Sequence, residues 1–160
     1  MRARPRLRAA ALLAAAVMAL SGCARKRDTQ AGVRTLIEDV RAAAEDRDTG
    51  AVILRLTEDF RGTGGLSRTD AIASLKQYFA AYEKLRVNVH DVAITPKSTR
   101  EAEVTCRVEF TGVSKRIGAL ADLLPPSAVY RFHLSVVQPP GPDWMVQSAE
   151  WETAEARPSP

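Results

Sequence analysis

The chain has 160 residues, 46% of them hydrophobic and 26% charged, with 23 Lys+Arg against 19 Asp+Glu and a formal charge of +4. Those fractions exclude a fibrous or disordered chain, and the positive excess does not point to nucleic acid. Arg2, Arg4, Arg6 and Arg8 all precede the first acid, Asp28, so without residues 1–22 the chain carries 19 basic and 19 acidic side chains. What remains is one domain of ordinary size, with room for one real core.

The N-terminus has the layout of a secretory signal: alternating arginines, then an unbroken apolar run from Ala9 to Leu20. That run is about a dozen residues, short of the roughly 20 needed to cross a bilayer. No Arg-Arg pair marks a twin-arginine route. Leu20-Ser21-Gly22-Cys23 resembles the lipobox of bacterial lipoproteins at all four positions. The resemblance implies cleavage between Gly22 and Cys23, a diacylglycerol on the Cys23 thiol and an acyl chain such as palmitate on the new amino group. Several acyl chains anchor firmly, each buried methylene contributing about 0.8 kcal/mol. Ala24 stands where an Asp would mark inner-membrane retention, so the implied location is the cell envelope. In a Gram-negative source it is the periplasmic face of the outer membrane. Arg25, Lys26 and Arg27 follow, either as headgroup contacts or as a solvated linker. With Cys23 acylated, Cys106 has no disulfide partner and reads as a small buried apolar residue.

The expected division is a signal peptide at 1–22, a lipidated tether at 23–29, a domain at 30–152 and a disordered tail at 153–160. Val33, Leu36, Ile37, Val40 and Ala44 are spaced as one face of a helix, with Asp28 or Thr29 as its cap. After Asp46–Gly50 a second apolar stretch, Val52, Ile53, Leu54 and Leu56, reads as a shorter helix that closes at Phe60, with a short strand as an option near that residue. Arg61-Gly62-Thr63-Gly64-Gly65 lacks the Lys-Ser or Lys-Thr of a phosphate-binding loop and reads as a turn. Ser67 and Asp70 form a capping-box variant that opens a third helix with Ile72, Leu75, Phe79 and Tyr82 on one stripe.

After Lys84 the period becomes two. Leu85, Val87 and Val89 share a face, but Val92 and Ile94 fall in the opposite phase, which places a β-bulge near His90-Asp91. Ala102, Val104, Cys106, Val108 and Phe110 alternate with charged and polar residues, as do Tyr130, Phe132, Leu134 and Val136. Between those strands, Ile117, Leu120, Leu123 and Leu124 have helical spacing before Pro125-Pro126, as a lid, a docking surface or edge packing. Pro139-Pro140-Gly141-Pro142 forces a turn, and Trp144–Trp151 gives a last strand. Three helices followed by antiparallel strands define an α+β class, with the helices covering one face of a curved sheet.

From about residue 30 to 152 the chain resembles the nuclear transport factor 2-like superfamily, a cystatin-like cone of helices packed into a bent sheet. The resemblance rests on Leu56 and Asp59-Phe60-Arg61-Gly62 after two helices, on Phe79-Ala80-Ala81-Tyr82, and on Asp143-Trp144-Met145-Val146 with Glu150-Trp151. It implies a pocket, used for catalysis in some members and for binding in others. Isomerase-type members use an Asp base and a Tyr with a protonated Asp as oxyanion donors. Asp59 falls in the region of that base, against a plain role in a turn or cap, and no inward strand position supplies the second acid.

Dehydratase-type members use an inward His, whereas His133 alternates outward and His90 sits at the bulge beside Asp91. No His, Cys and carboxylate spacing fits zinc or iron, no nucleophile elbow is present, and no cofactor is implied. The interior candidates are Tyr78, Phe79, Tyr82, Phe110, Tyr130, Phe132, Trp144 and Trp151, either as core or as a pocket lining. The expectation is therefore a non-catalytic, lipid-anchored protein that binds a small apolar ligand or an envelope protein. A pocket enzyme using Asp59 and a tyrosine is the alternative. Glu103, Arg107, Glu109, Arg131 and His133 charge the outer sheet face, so a monomer is expected.

Overall fold

The alternation in residues 102–110 builds the centre of the molecule. Ala102, Val104, Cys106 and Val108 are all buried, whereas Thr105 between them is exposed. In the computed structural model, which describes residues 28–114 and 127–154, they lie on β3 (Glu101–Ser114) in the middle of the sheet. The other strands are β1 (Leu56–Gly62), β2 (Tyr82–Pro96), β4 (Ser127–Val137) and β5 (Met145–Thr153), in the order β1-β5-β4-β3-β2. Neighbours β2 to β5 pair antiparallel, while β1 pairs parallel with β5. The sheet is therefore mixed rather than wholly antiparallel.

Three helices pack on this sheet. Residues 28–45 form α1, whose stripe buries Val33, Leu36, Ala43 and Ala44. Each large side chain so buried contributes about 1.5–3 kcal/mol. Asp28 and Thr29 are already helical rather than tether. The helix ends in a Schellman motif: Asp48 N–H donates to Ala43 O at 2.8 Å and Arg47 N–H to Ala44 O at 3.0 Å. Its left-handed position holds Arg47 (φ 56°) where glycine is usual. The Arg47 guanidinium donates to Tyr82 O at 2.8 Å, which gives an arginine a reason to be there.

The second helix is shorter than its apolar residues imply. α2 (Thr49–Ile53) starts from Asp48, whose carboxylate accepts from Ala51 N at 2.9 Å. It stops because Leu56 is already in β1, paired with Val146 of β5. Tertiary pairing has overridden a helical pattern of only a few residues. The turn after β1 is a 3-10 segment (Thr63–Gly65) with Gly64 and Gly65 at positive φ. Ser67 then caps α3 (Arg68–Ala81): its hydroxyl accepts from Asp70 N at 3.2 Å and bonds the Asp70 carboxylate. Tyr82, which spacing assigns to the α3 stripe, is instead the first residue of β2 and is only 2% exposed.

The bulge in β2 lies where the phase change places it. Register shifts between His90 and Ala93, and Asp91 has φ 53°. This brings Val92 and Ile94 back to the inner face, against the core of Val33, Leu36, Phe60, Val104, Val136 and Trp144. A second core joins Ala43, Ala44, Val52, Phe79, Tyr82, Leu85, Val87, Cys106 and Val108. Arg55 ties the first end together, through Asp39 of α1 at 2.8 Å and Asp143 before β5 at 3.3 Å. β5 continues to Thr153, and Ala154 N–H donates to Val129 O at 2.8 Å, so the folded chain runs past the expected boundary at 152. The signal segment 1–22, Cys23, the tether to Arg27, the leucine-bearing segment at 115–126 and residues 155–160 lie outside the described residues.

Candidate functional site

Six of the eight aromatic candidates form one continuous row across the inner face. Tyr82 meets Tyr78 of α3 with ring centroids 4.9 Å apart, and Tyr78 meets Phe110 of β3 at 6.0 Å. The row continues from Phe110 to Tyr130 of β4 at 5.9 Å, to Phe132 at 6.3 Å and to Trp151 of β5 at 6.0 Å. The strand register explains it: Val108 pairs with Tyr130, Cys106 with Phe132, and Phe132 with Trp151, so like-facing residues of neighbouring strands stand side by side. Most contacts are edge-to-face, the arrangement that the ring quadrupoles favour. Tyr78, Phe110, Tyr130, Phe132 and Trp151 are half-buried, which leaves part of each ring available.

The remaining two candidates belong to the core. Phe79 is 5% exposed among Ala43, Val52 and Val87. Trp144, 6% exposed, sits at the other end of the sheet against α1.

Glycines hold both ends of the row, a feature that hydropathy does not reveal. A Cβ at Gly112 would lie 2.5 Å from Tyr82 Cδ1 and 2.9 Å from Lys84 O. A Cβ at Gly62 would lie 3.2 Å from both the Trp151 ring and Leu66. The bare backbones allow the two terminal rings to lie down on the sheet. A glycine within an alternating strand is the sequence signal for such close approach.

The polar groups of the row are phenols. Burial, followed by a hydrogen bond to Tyr82 and the neighbourhood of Tyr82 and Tyr130, pushes the Tyr78 pKa well above its ordinary value. Tyr78 is thus a neutral hydrogen-bond donor at any physiological pH. Among the described residues, no carboxylate or imidazole occurs at the buried and half-buried positions that β2 to β5 turn to the helices. Cys106 lies beneath the row with its thiol pushed up to about 11 by burial, which makes it an inert apolar filler.

Asp59 is in strand β1, neither turn nor cap, and points to solvent. The Thr57 hydroxyl and the Gln147 carboxamide, whose Nε2 is 3.2 Å from Oδ2, hold its carboxyl below the usual range. Both histidines are exposed as well: His90 at the bulge, 4.0 Å from Glu109, and His133 on the outer face. Among the described residues no group of His, Cys, Asp and Glu is placed to hold a metal ion. None of the described helices is long and apolar enough to cross a membrane.

Two clefts open at the surface, and only the second touches the row, at Phe132 and Trp151. One, of about 470 Å³, is lined by Asp28, Thr29, Thr99, Gln138 and Trp144 at the end where α1 begins. The other, of about 360 Å³, is lined by Thr105, Arg131, His133, Glu150 and Glu152 together with Thr63, Gly64, Phe132 and Trp151. Both are open; the first is slightly more polar than apolar, and the second is mainly apolar.

Helices on the inner face of a bent five-stranded sheet, with an aromatic interior, define a nuclear transport factor 2-like fold. Similarity to solved structures agrees. A proposed scytalone dehydratase from Novosphingobium aromaticivorans superposes with a TM-score of 0.72 at 14% identity, covering 83% of this chain and 89% of that one. LinA, a hexachlorocyclohexane dehydrochlorinase, gives 0.67 at 12% identity, covering 82% and 89%. A proposed dehydratase of the NTF2-like family from Streptomyces avermitilis gives 0.65 at 17%, covering 80% and 98%. No family model matches the sequence, and no curated protein does.

Proposed function

We propose that this is a lipid-anchored cell-envelope protein whose domain binds a small apolar ligand without catalysing its conversion. The observation that carries the binding role is the row from buried Tyr82 through five half-buried rings to Trp151, with no acid or base among the described inward-facing strand residues. A partly exposed apolar surface with few polar groups is the usual chemistry of a small-molecule site. General acid–base catalysis needs a titrating group within hydrogen-bond reach of the reacting atoms. An isomerase or dehydratase role through Asp59 and a tyrosine is the alternative, favoured by the names of the structural neighbours. The outward, Gln147-bound position of Asp59 weighs against it. An envelope protein as the bound partner is the other form of the binding role.

The binding role is tested with the neutral fluorophore N-phenyl-1-naphthylamine. Saturable fluorescence enhancement, weakened by Trp151→Ala, supports it, and no enhancement refutes it.

The anchor rests on Leu20-Ser21-Gly22-Cys23 behind the apolar run. Cells fed a palmitate analogue should label the wild-type chain and not Cys23→Ala, and globomycin should block processing. Equal labelling of the variant would overturn the assignment. On the outer face, exposed pairs Arg131–Glu152 at 2.8 Å and Lys97–Glu103 at 3.0 Å favour a monomer, and a tight dimer in sedimentation at micromolar concentration would contradict it.

A further inference from the structure

We infer that the end of the sheet where α1 begins is a membrane-facing surface, and that the aromatic row is thereby presented to the aqueous phase. The partner of that surface is the lipid bilayer that holds acylated Cys23, so the inference rests on the anchor proposed above. Only Ala24, Arg25, Lys26 and Arg27 separate Cys23 from Asp28, the first described residue of α1. Fully extended, that link reaches about 18 Å at most, so the start of α1 is held close to the headgroups. Two turns share this end with it. Gln138 N–H donates to Arg100 O at 2.8 Å, which joins the β2–β3 turn to the β4–β5 turn, and Gln138 Nε2 donates to Pro142 O at 2.9 Å. Asp28 and Thr29 line one cleft with Thr99 and Gln138, which places the start of α1 beside both turns.

The row lies away from this end. Strand register puts Trp151 beside Phe132 and Phe132 beside Cys106, whereas Ala102, at the turn end of β3, stands between Pro96 and Val136. Trp151 is therefore level with Cys106, about 13 Å along β3 from Ala102, and Tyr82, opposite Ser114, is about 40 Å along it. A link of about 18 Å cannot bring Tyr82 to the bilayer while the two turns face it.

Charge favours the same orientation. The turn Lys97–Arg100 carries two cations and no acid, with Lys97 also paired to Glu103 at 3.0 Å, and Gln138–Pro142 is uncharged. Asp143 is paired with Arg55 at 3.3 Å, while Asp28 and Glu101 offset part of the positive charge. Together with Arg25, Lys26 and Arg27, the turn cations come within a Debye length of anionic headgroups. At the row end, by contrast, Asp46 and Asp48 flank Arg47, whose guanidinium is taken by Tyr82 O. Laying the domain on its outer sheet face would press Glu103, Glu109, Glu150 and Glu152 on the headgroups alongside Arg107 and Arg131.

The test places a thiol-reactive nitrobenzoxadiazole fluorophore at either end of the sheet, through Thr99→Cys in the β2–β3 turn or Glu83→Cys beside Tyr82. Both positions are exposed, so the substitutions leave the core untouched, which circular dichroism verifies. Cys106 is buried and stays in place, and the parent chain carried through the same labelling is the blank. The full chain is purified from cells with its anchor and reconstituted into vesicles of phosphatidylethanolamine and phosphatidylglycerol. A lipid with a nitroxide on its headgroup is then added as a short-range quencher. The Thr99→Cys probe should be quenched at least about threefold more than the Glu83→Cys probe, because about 40 Å of strand separates them. Equal quenching at the two positions, stronger quenching at Glu83→Cys, or none at either in a chain that stays with the vesicles overturns the orientation and leaves the anchor intact. A chain that does not float with the vesicles overturns the anchor itself, and this inference with it.

Discussion

Gly32 of α1 lies directly beneath the indole of Trp144: a Cβ at Gly32 would stand 2.6 Å from Trp144 Cδ1 and closer still to Nε1. The first helix can approach the sheet at this end because one residue has no side chain. In isolation Gly32→Ala should stabilise a helix by about 1 kcal/mol. In the folded protein the methyl must displace a buried indole, and overpacking of this kind costs about 1–3 kcal/mol. The net expectation is a lower urea midpoint for Gly32→Ala, recovered by pairing it with Trp144→Phe. A variant more stable than wild type would show that the helix shifts freely on the sheet.

The Glu45 carboxylate takes the place of a neighbouring strand. Its Oε1 accepts from Val87 N at 3.0 Å, and its Oε2 accepts from Arg41 at 2.6 Å. The Val87 amide is the largest influence lowering its pKa, with Arg41 contributing. A carboxyl whose pKa falls on folding contributes stability above its unfolded pKa, and loses it as pH drops through the folded value. Acid unfolding below about pH 4 should therefore be less steep in Glu45→Gln. Glu45→Ala, which leaves the Val87 amide unmatched, should cost about 1–2 kcal/mol at neutral pH. Urea titrations from acid to neutral pH measure both.

Cys106 predicts the opposite slope at the alkaline end. Burial raises its thiol to about 11, so the folded protein holds a proton that the unfolded chain releases near its ordinary value of 9.0. Stability from this group is complete below that value and declines as pH rises toward 11. Cys106→Ala should lose stability at neutral pH through its cavity, yet show a shallower decline over that range. Native protein should also resist thiol reagents that label the unfolded chain fully.

Asp59→Asn separates the binding role from the enzymatic alternative. The side chain is exposed and bonded to Gln147, so the variant should bind N-phenyl-1-naphthylamine within about twofold of wild type (a shift under about 0.4 kcal/mol). A larger loss would return Asp59 to the site.

The inner face is well written in the sequence, and the ends of elements poorly. Alternation in β3 and β4 names the buried residues, and the phase change between Val89 and Val92 locates the bulge, because a period of two leaves no freedom once one face is buried. The parallel β1–β5 pairing is not legible: Leu56 continues an apolar cluster that suits a short helix as well as a strand. Spacing gives Tyr82 to α3 for the same reason, since position i+3 from Phe79 fits a helix until the backbone turns extended. The row itself is visible in the sequence only as a set of aromatic residues. Its order depends on strand register, and its two ends depend on Gly62 and Gly112.

The fold also limits its own growth. β2 is a free edge of the sheet, 15 residues long, and an edge of that length is a template on which further strands can add. Glu45 occupies the Val87 amide and Arg47 the Tyr82 carbonyl, so the first part of the edge is already taken by side chains of the same chain. The bulge at His90-Asp91 then breaks the regular spacing of the second half of the strand, and Pro96 ends it without an N–H. Among the described residues, a strand approaching the β2 edge therefore finds no continuous ladder.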